Sequence, residues 1–157
     1  MESRSFCALA LALTTLVCCR GVGQADDETT LVREVAQGII AADNARDIER
    51  VLDLYAEDAV LLPPNDAPVR GKQAIRPRYE SLFRDFTPEI IGEIDEVHVG
   101  ADWAFVIGTN RGRLLPIAGG EPRPLNDAYV MILRRTGGRW HIGRLIWHPV
   151  TVERGRR

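Results

Sequence analysis

Apolar residues recur every three or four positions from Leu31 through Val35 and Ile39 to Ala42, and Val32, Ala36 and Ile40 widen the stripe. Asp26, Asp27 and Glu28 lie just ahead of it, where the dipole of a helix start favours negative charge. The spacing therefore predicts a one-sided buried helix ending near Asp43-Asn44. Asp47 is a candidate N-cap for a second helix, whose Ile48, Val51, Leu52 and Tyr55 share one face. Ala59 to Leu62 is a short apolar run stopped by Pro63-Pro64, a brief strand. A third helix is expected from Gly71, with Ile75, Tyr79, Leu82 and Phe86 on one side. Pro77 lacks the N–H that a helix interior uses, so a kink or a late start is expected there. Thr87-Pro88 closes the helical half.

The pattern then changes period. Ile90 to Val99, Trp103 to Leu115, Leu125 to Arg135 and Trp140 to Val150 are rich in β-branched and aromatic residues and read as four strands. Between them lie a turn at Gly100-Ala101-Asp102, a Pro- and Gly-rich loop from Pro116 to Pro124, and a two-residue hairpin turn at Gly137-Gly138. Helices first and strands afterwards argue an α+β domain with helices packed on one face of a curved sheet.

Composition changes the picture mainly at the ends. An apolar run from Phe6 to Cys19 follows Arg4 and is shorter than the roughly 20 residues that span a bilayer. With Gly23-Gln24-Ala25 behind it, it reads as a signal peptide over residues 1–25, cleaved before Asp26. The protein is then exported, to the periplasm or beyond the cell. A lipoprotein anchored at Cys18 or Cys19 is the lesser alternative. All three cysteines (Cys7, Cys18, Cys19) fall in the leader, so the mature domain, residues 26–150, has no disulfide and depends on its core. Residues 151–157 form a basic tail. A net charge of −2 provides no field to draw in nucleic acid or a membrane surface, and neither partner is expected of the mature form.

Several segments, taken in order, resemble the nuclear transport factor 2-like superfamily in its SnoaL-like and ketosteroid-isomerase-like branch. They are Asp47-Ile48, Leu54-Tyr55-Ala56-Glu57-Asp58-Ala59, Gly71 to Tyr79, Ala104 to Gly108, and Gly137-Gly138-Arg139-Trp140 with Trp147. The resemblance implies a cone-shaped α+β fold, a strongly curved and mainly antiparallel sheet with three helices from the N-terminal half enclosing a pocket. It also implies a homodimer joined through the outer sheet face. Ketosteroid isomerases use a carboxylate base and an oxyanion hole of a Tyr and a protonated Asp. Matched to this chain, those positions fall on Pro63, Ile39 and Val130, so steroid isomerisation by that route is not expected.

If the family's strands are carried over, Asn126, Ala128, Val130 and Ile132 alternate onto the concave face. Gly143, Leu145 and Trp147 join them from the last strand, and Ala104, Val106, Gly108 and Asn110 from the long one. Tyr55, Tyr79, Asn110, Asn126, Val130 and Trp147 are the expected ligand contacts, for a small hydrophobic or weakly polar molecule. The alternative is a SnoaL-like enzyme, a cyclase, isomerase or hydrolase of polycyclic substrates, using Asp66, His141 and Tyr79. His98, His141 and His148 lack metal-ligand spacing, so no metal and no cofactor is expected. Only Ser81 is available as a serine after the leader, and no nucleophile elbow surrounds it.

Overall fold

The computed structural model describes residues 22–150. The expected leader and basic tail lie outside them, except that the end of the leader segment, from Val22, is helical. Three helices, α1 (Val22–Ala45), α2 (Ile48–Leu54) and α3 (Lys72–Asp85), pack against a six-stranded sheet. Its strands are β1 (Tyr55–Leu62), β2 (Val69–Arg70), β3 (Phe86–Val99), β4 (Trp103–Pro116), β5 (Arg123–Thr136) and β6 (Arg139–Pro149). The sheet order is β2-β1-β6-β5-β4-β3, antiparallel throughout except for the parallel pair β1–β6. This curved, unclosed sheet with helices over its concave side is an α+β cone.

The local chemistry behaves as its residues require. Asp47 caps α2 from an extended conformation, its Oδ1 accepting from the Arg50 N–H at 3.0 Å. Gly71 precedes α3 at φ 79°, which a side chain would resist. Gly137 and Gly138, at φ 59° and 79°, make the β5–β6 turn.

Other boundaries move. Helix α1 begins at Val22 rather than at the acidic residues, and its buried line is Val32, Ala36, Ile39 and Ala42, with Leu31 left 43% exposed. Helix α3 starts directly after Gly71 and continues through Pro77, so there is no late start. Thr87 and Pro88 belong to β3 instead of a break, paired with Leu115 and Leu114 of β4. Strand β1 begins as soon as α2 ends, at Tyr55, because that segment lies along β6.

The core fills the narrow part of the cone. Val51, Tyr55, Ala59, Ile75, Val106, Leu133 and Ile142 are all fully buried there. Strand faces follow from the ladder: Ala104, Val106 and Gly108 of β4 are buried on the concave side, opposite Leu133, Met131 and Tyr129 of β5.

Candidate functional site

The wide part of the cone is hollow. A cavity of about 760 Å³ lies between the C-terminal end of α1, one side of α3 and the concave face of β4, β5 and β6. Apolar and aromatic residues dominate its wall, among them Leu61, Leu82, Phe86, Leu125, Leu145, Tyr129 and Trp147. Its polar groups are few: Asp43, Arg78, Tyr79, Ser81, Asp85, Asn110 and Asp127.

Each polar group is there for a local reason. Asp43 follows Val32, Ala36 and Ile39 at helical spacing, so the inner face of α1 ends in a carboxyl. That burial pushes its pKa from 3.8 up to about 7, and its Oδ1 has no hydrogen-bond partner. Tyr79 sits one turn from both Ile75 and Phe83 on α3. Its hydroxyl meets that of Tyr55 at 3.0 Å, and burial raises both phenols well above their ordinary range. Asn110 faces Asp127 across the β4–β5 ladder. The Oδ1 of Asn110 is buried without a partner, and burial raises the Asp127 carboxyl.

Tyr129 lies across Gly108 of β4, its register partner, and its hydroxyl reaches toward the Glu93 carbonyl at 3.5 Å. A methyl group at Gly108 would come within 2.5 Å of that hydroxyl and 2.2 Å of the same carbonyl. Only glycine lets the Tyr129 ring fold over the strand there. At the mouth, the Arg78 guanidinium lies 5.8 Å from the Trp147 ring and 3.1 Å from Asp66.

Of the residues expected to contact a ligand, Tyr79, Asn110 and Trp147 line this cavity. Tyr55 lies behind Tyr79, fully buried. Asn126 and Val130 do not line it, because β5 presents its other face. Leu125, Asp127, Tyr129, Met131 and Leu133 point inward, so Val130 turns outward with Ile132 beside Trp103 and Phe105. The Asn126 amide donates to the Val150 carbonyl at 2.8 Å.

Among the residues expected for the enzymatic alternative, only Tyr79 is in the hollow. A register shift between Ile132 and Leu133 sets Gly143 out of step in β6, so His141 pairs with Arg134 and leaves the face that Trp147 shares. Its neighbours are Arg139 and Lys72, which with burial depress its pKa. Asp66 is a turn residue outside the cavity. It accepts from the Ala67 N–H at 2.8 Å, and this bond together with Arg78 holds its carboxyl below the usual range. Among the described residues no group of three or more His, Cys, Asp or Glu is placed to hold a metal ion.

A family model described as the SnoaL-like domain matches residues 36–141, more than half of the sequence. The chain belongs to the SnoaL-like branch of the nuclear transport factor 2-like superfamily. Among solved structures it is similar to a ketosteroid isomerase-like protein from Erwinia carotovora atroseptica, at 28% identity and TM-score 0.74, over 81% of this chain and 99% of that one. A conserved protein from Planctomyces limnophilus shares the fold at 23% identity and TM-score 0.73, over 81% and 99% of the two chains. An NTF2-like protein of unknown function from Pseudomonas putida does so at 23% and 0.65, over 82% and 91%. No curated protein matches the sequence.

Within this SnoaL-like cone, the positions matched to the isomerase base and oxyanion groups carry no acid–base side chain. Pro63 and Ile39 are buried and Val130 faces outward. The carboxyls that do line the hollow, Asp43, Asp85 and Asp127, come from other positions. Two of them carried a signal in the sequence, Asp43 by helical phase with Ile39 and Asp127 by alternation with Tyr129 and Met131.

Proposed function

We propose that this SnoaL-like domain binds a small, largely apolar molecule in the hollow of its cone. The observation that carries the reading is the cavity itself, of drug-ligand size and walled by Trp147, Tyr129 and leucines with a few polar groups inside. A cone without a ligand would have little reason to keep a hollow there, since core packing elsewhere is tight. Native mass spectrometry of protein purified from its producing cells tests it. An adduct of a few hundred daltons that disappears in Trp147→Ala supports the reading. Bare protein in every preparation, with Trp147 fluorescence unmoved by a panel of apolar ring compounds, overturns it.

A second reading, acid–base catalysis, is favoured by Asp43. A carboxyl poised near pH 7 beside the Tyr79 hydroxyl is the kind of group that gives or takes a proton under physiological conditions. In that reading Asp43 takes the place of the expected Asp66 and His141, and Tyr79 keeps its role. Loss of a turnover in Asp43→Asn with ligand binding intact would separate it from simple binding.

The outer sheet face supports a homodimer. Trp103, Phe105 and Ile146 are 50%, 38% and 39% exposed there, and His98 stacks on Phe105 at 4.5 Å. Sedimentation of the native protein and of Trp103→Arg tests it, a dimer turning to monomer being the supporting result.

A further inference from the structure

Asp127 is placed unlike the other two carboxyls on the wall of the hollow. Asp43 is buried, its Oδ1 shut away from solvent, and Asp85 is paired with Arg84 at 2.9 Å. Asp127 is half-buried on the inward face of β5, and among the described residues its carboxylate makes no hydrogen bond and no ion pair. Burial raises its pKa, and the charge that opposes this, His148, stands on the other face of β6, opposite Ala128. Arg78, the cation among the lining residues, is held by Asp66 at 3.1 Å and lies over the Trp147 ring. The tyrosine hydroxyls of the wall do not serve Asp127 either: that of Tyr79 meets Tyr55 at 3.0 Å, and that of Tyr129 reaches toward the Glu93 carbonyl. A carboxylate partly withdrawn from water and left unpaired lacks the cation that ordinarily compensates it. Tyr129 follows Asp127 on the same face of β5, about 7 Å along the strand, and Trp147 is the register partner of Tyr129 on β6. Aromatic faces attract cations, so the wall beside Asp127 favours the same sign of charge as its carboxylate does.

We propose that the molecule held in this hollow is an amine, its apolar ring body against Trp147, Tyr129 and the leucines and its ammonium group paired with the Asp127 carboxylate. The proposal rests on the reading of the cavity as a binding site and adds the charge of its occupant. An alkylammonium keeps its proton at neutral pH, since such amines titrate at about 10. Its pair with Asp127 forms in a partly dry, apolar setting, where opposite charges attract more strongly than at an open surface. A ligand carboxylate meets Asp127 with like charge instead, and Arg78 is already shared between Asp66 and Trp147 at the mouth.

Isothermal titration of the full chain at neutral pH with three probes of closely similar size tests this: 2-naphthylmethylamine, 2-naphthylmethanol and 2-naphthoate. The amine is expected to bind at least about tenfold tighter than the alcohol, which has the same ring but no charge, with the naphthoate weakest. In Asp127→Asn, which keeps the shape of the side chain and removes its charge, the preference for amine over alcohol should fall to within about twofold while the alcohol binds as before. Equal binding of amine and alcohol by the native protein, or tightest binding of the naphthoate, overturns the proposal but leaves the cavity a binding site. An amine preference that survives Asp127→Asn also overturns it. Heat from none of the three probes overturns both readings. The comparison of probes on the native protein can sink the proposal alone, so failure of the variant to fold would not rescue it.

Discussion

The two ends of the cone use one sheet in opposite ways. At the narrow end Val106, Leu133 and Ile142 meet Val51, Tyr55 and Ile75 with none of them exposed. At the wide end the same strands carry Asn110, Asp127, Tyr129 and Trp147 around a hollow. The change comes within four residues along β4 and β5, from Val106 opposite Met131 to Asn110 opposite Asp127. Stability is therefore concentrated where recognition is not. The hollow end tolerates an unpartnered carboxyl because the packed end holds the fold.

That contrast can be broken by substitution, and the largest effect belongs to the packed end. Leu133→Ala should cost about 2–5 kcal/mol in denaturant unfolding, since it leaves a cavity in a fully buried layer. A loss under about 1 kcal/mol would mean the narrow end can collapse around the gap.

Asp43 is next. The folded protein holds its proton up to about pH 7, whereas the unfolded chain releases it near 3.8. Its contribution is thus intact only well below pH 3.8, falls as pH rises from there toward 7, and is flat above that. Asp43→Asn should remove about 2–4 kcal/mol of this decline, read as the difference between the native and variant stability curves from pH 4.5 to 7.5. Parallel curves would mean that Asp43 is solvated in the hollow.

Trp147→Ala should cost less, about 1–2 kcal/mol, because Trp147 is only half-buried on the cavity wall. A loss as large as that of Leu133→Ala would show the wide end to be structural core as well. Asp66→Asn, at the exposed rim, should leave the unfolding midpoint where it is. A clear drop would make the Pro64–Pro68 loop part of the frame.

Legibility in the sequence followed the same division. The helices, the Asp47 cap and the Gly137-Gly138 turn are set by local chemistry, and the sequence states them directly. The inner face of β5 is not, because Ala128, Val130 and Ile132 are as apolar as Tyr129, Met131 and Leu133. When both faces of a strand are apolar, alternation no longer says which one meets the core, and only the ladder decides. His141 was lost to a different cause. The irregularity at Gly143 breaks the alternation between Trp147 and His141, so counting along β6 cannot carry a face across it. Asp43 was legible by helical phase, but its position near the expected end of α1 made it look like a terminus rather than a wall residue.

The parallel pair β1–β6 joins Tyr55–Leu62 to the last strand of the domain. The middle of the sheet can assemble from neighbouring hairpins while the chain is still being made, yet β1 has only the two residues of β2 beside it until β6 arrives. A ribosome that stalls after Thr136 would thus release a chain with a long unmated edge. For this protein, closure of the sheet waits on β6.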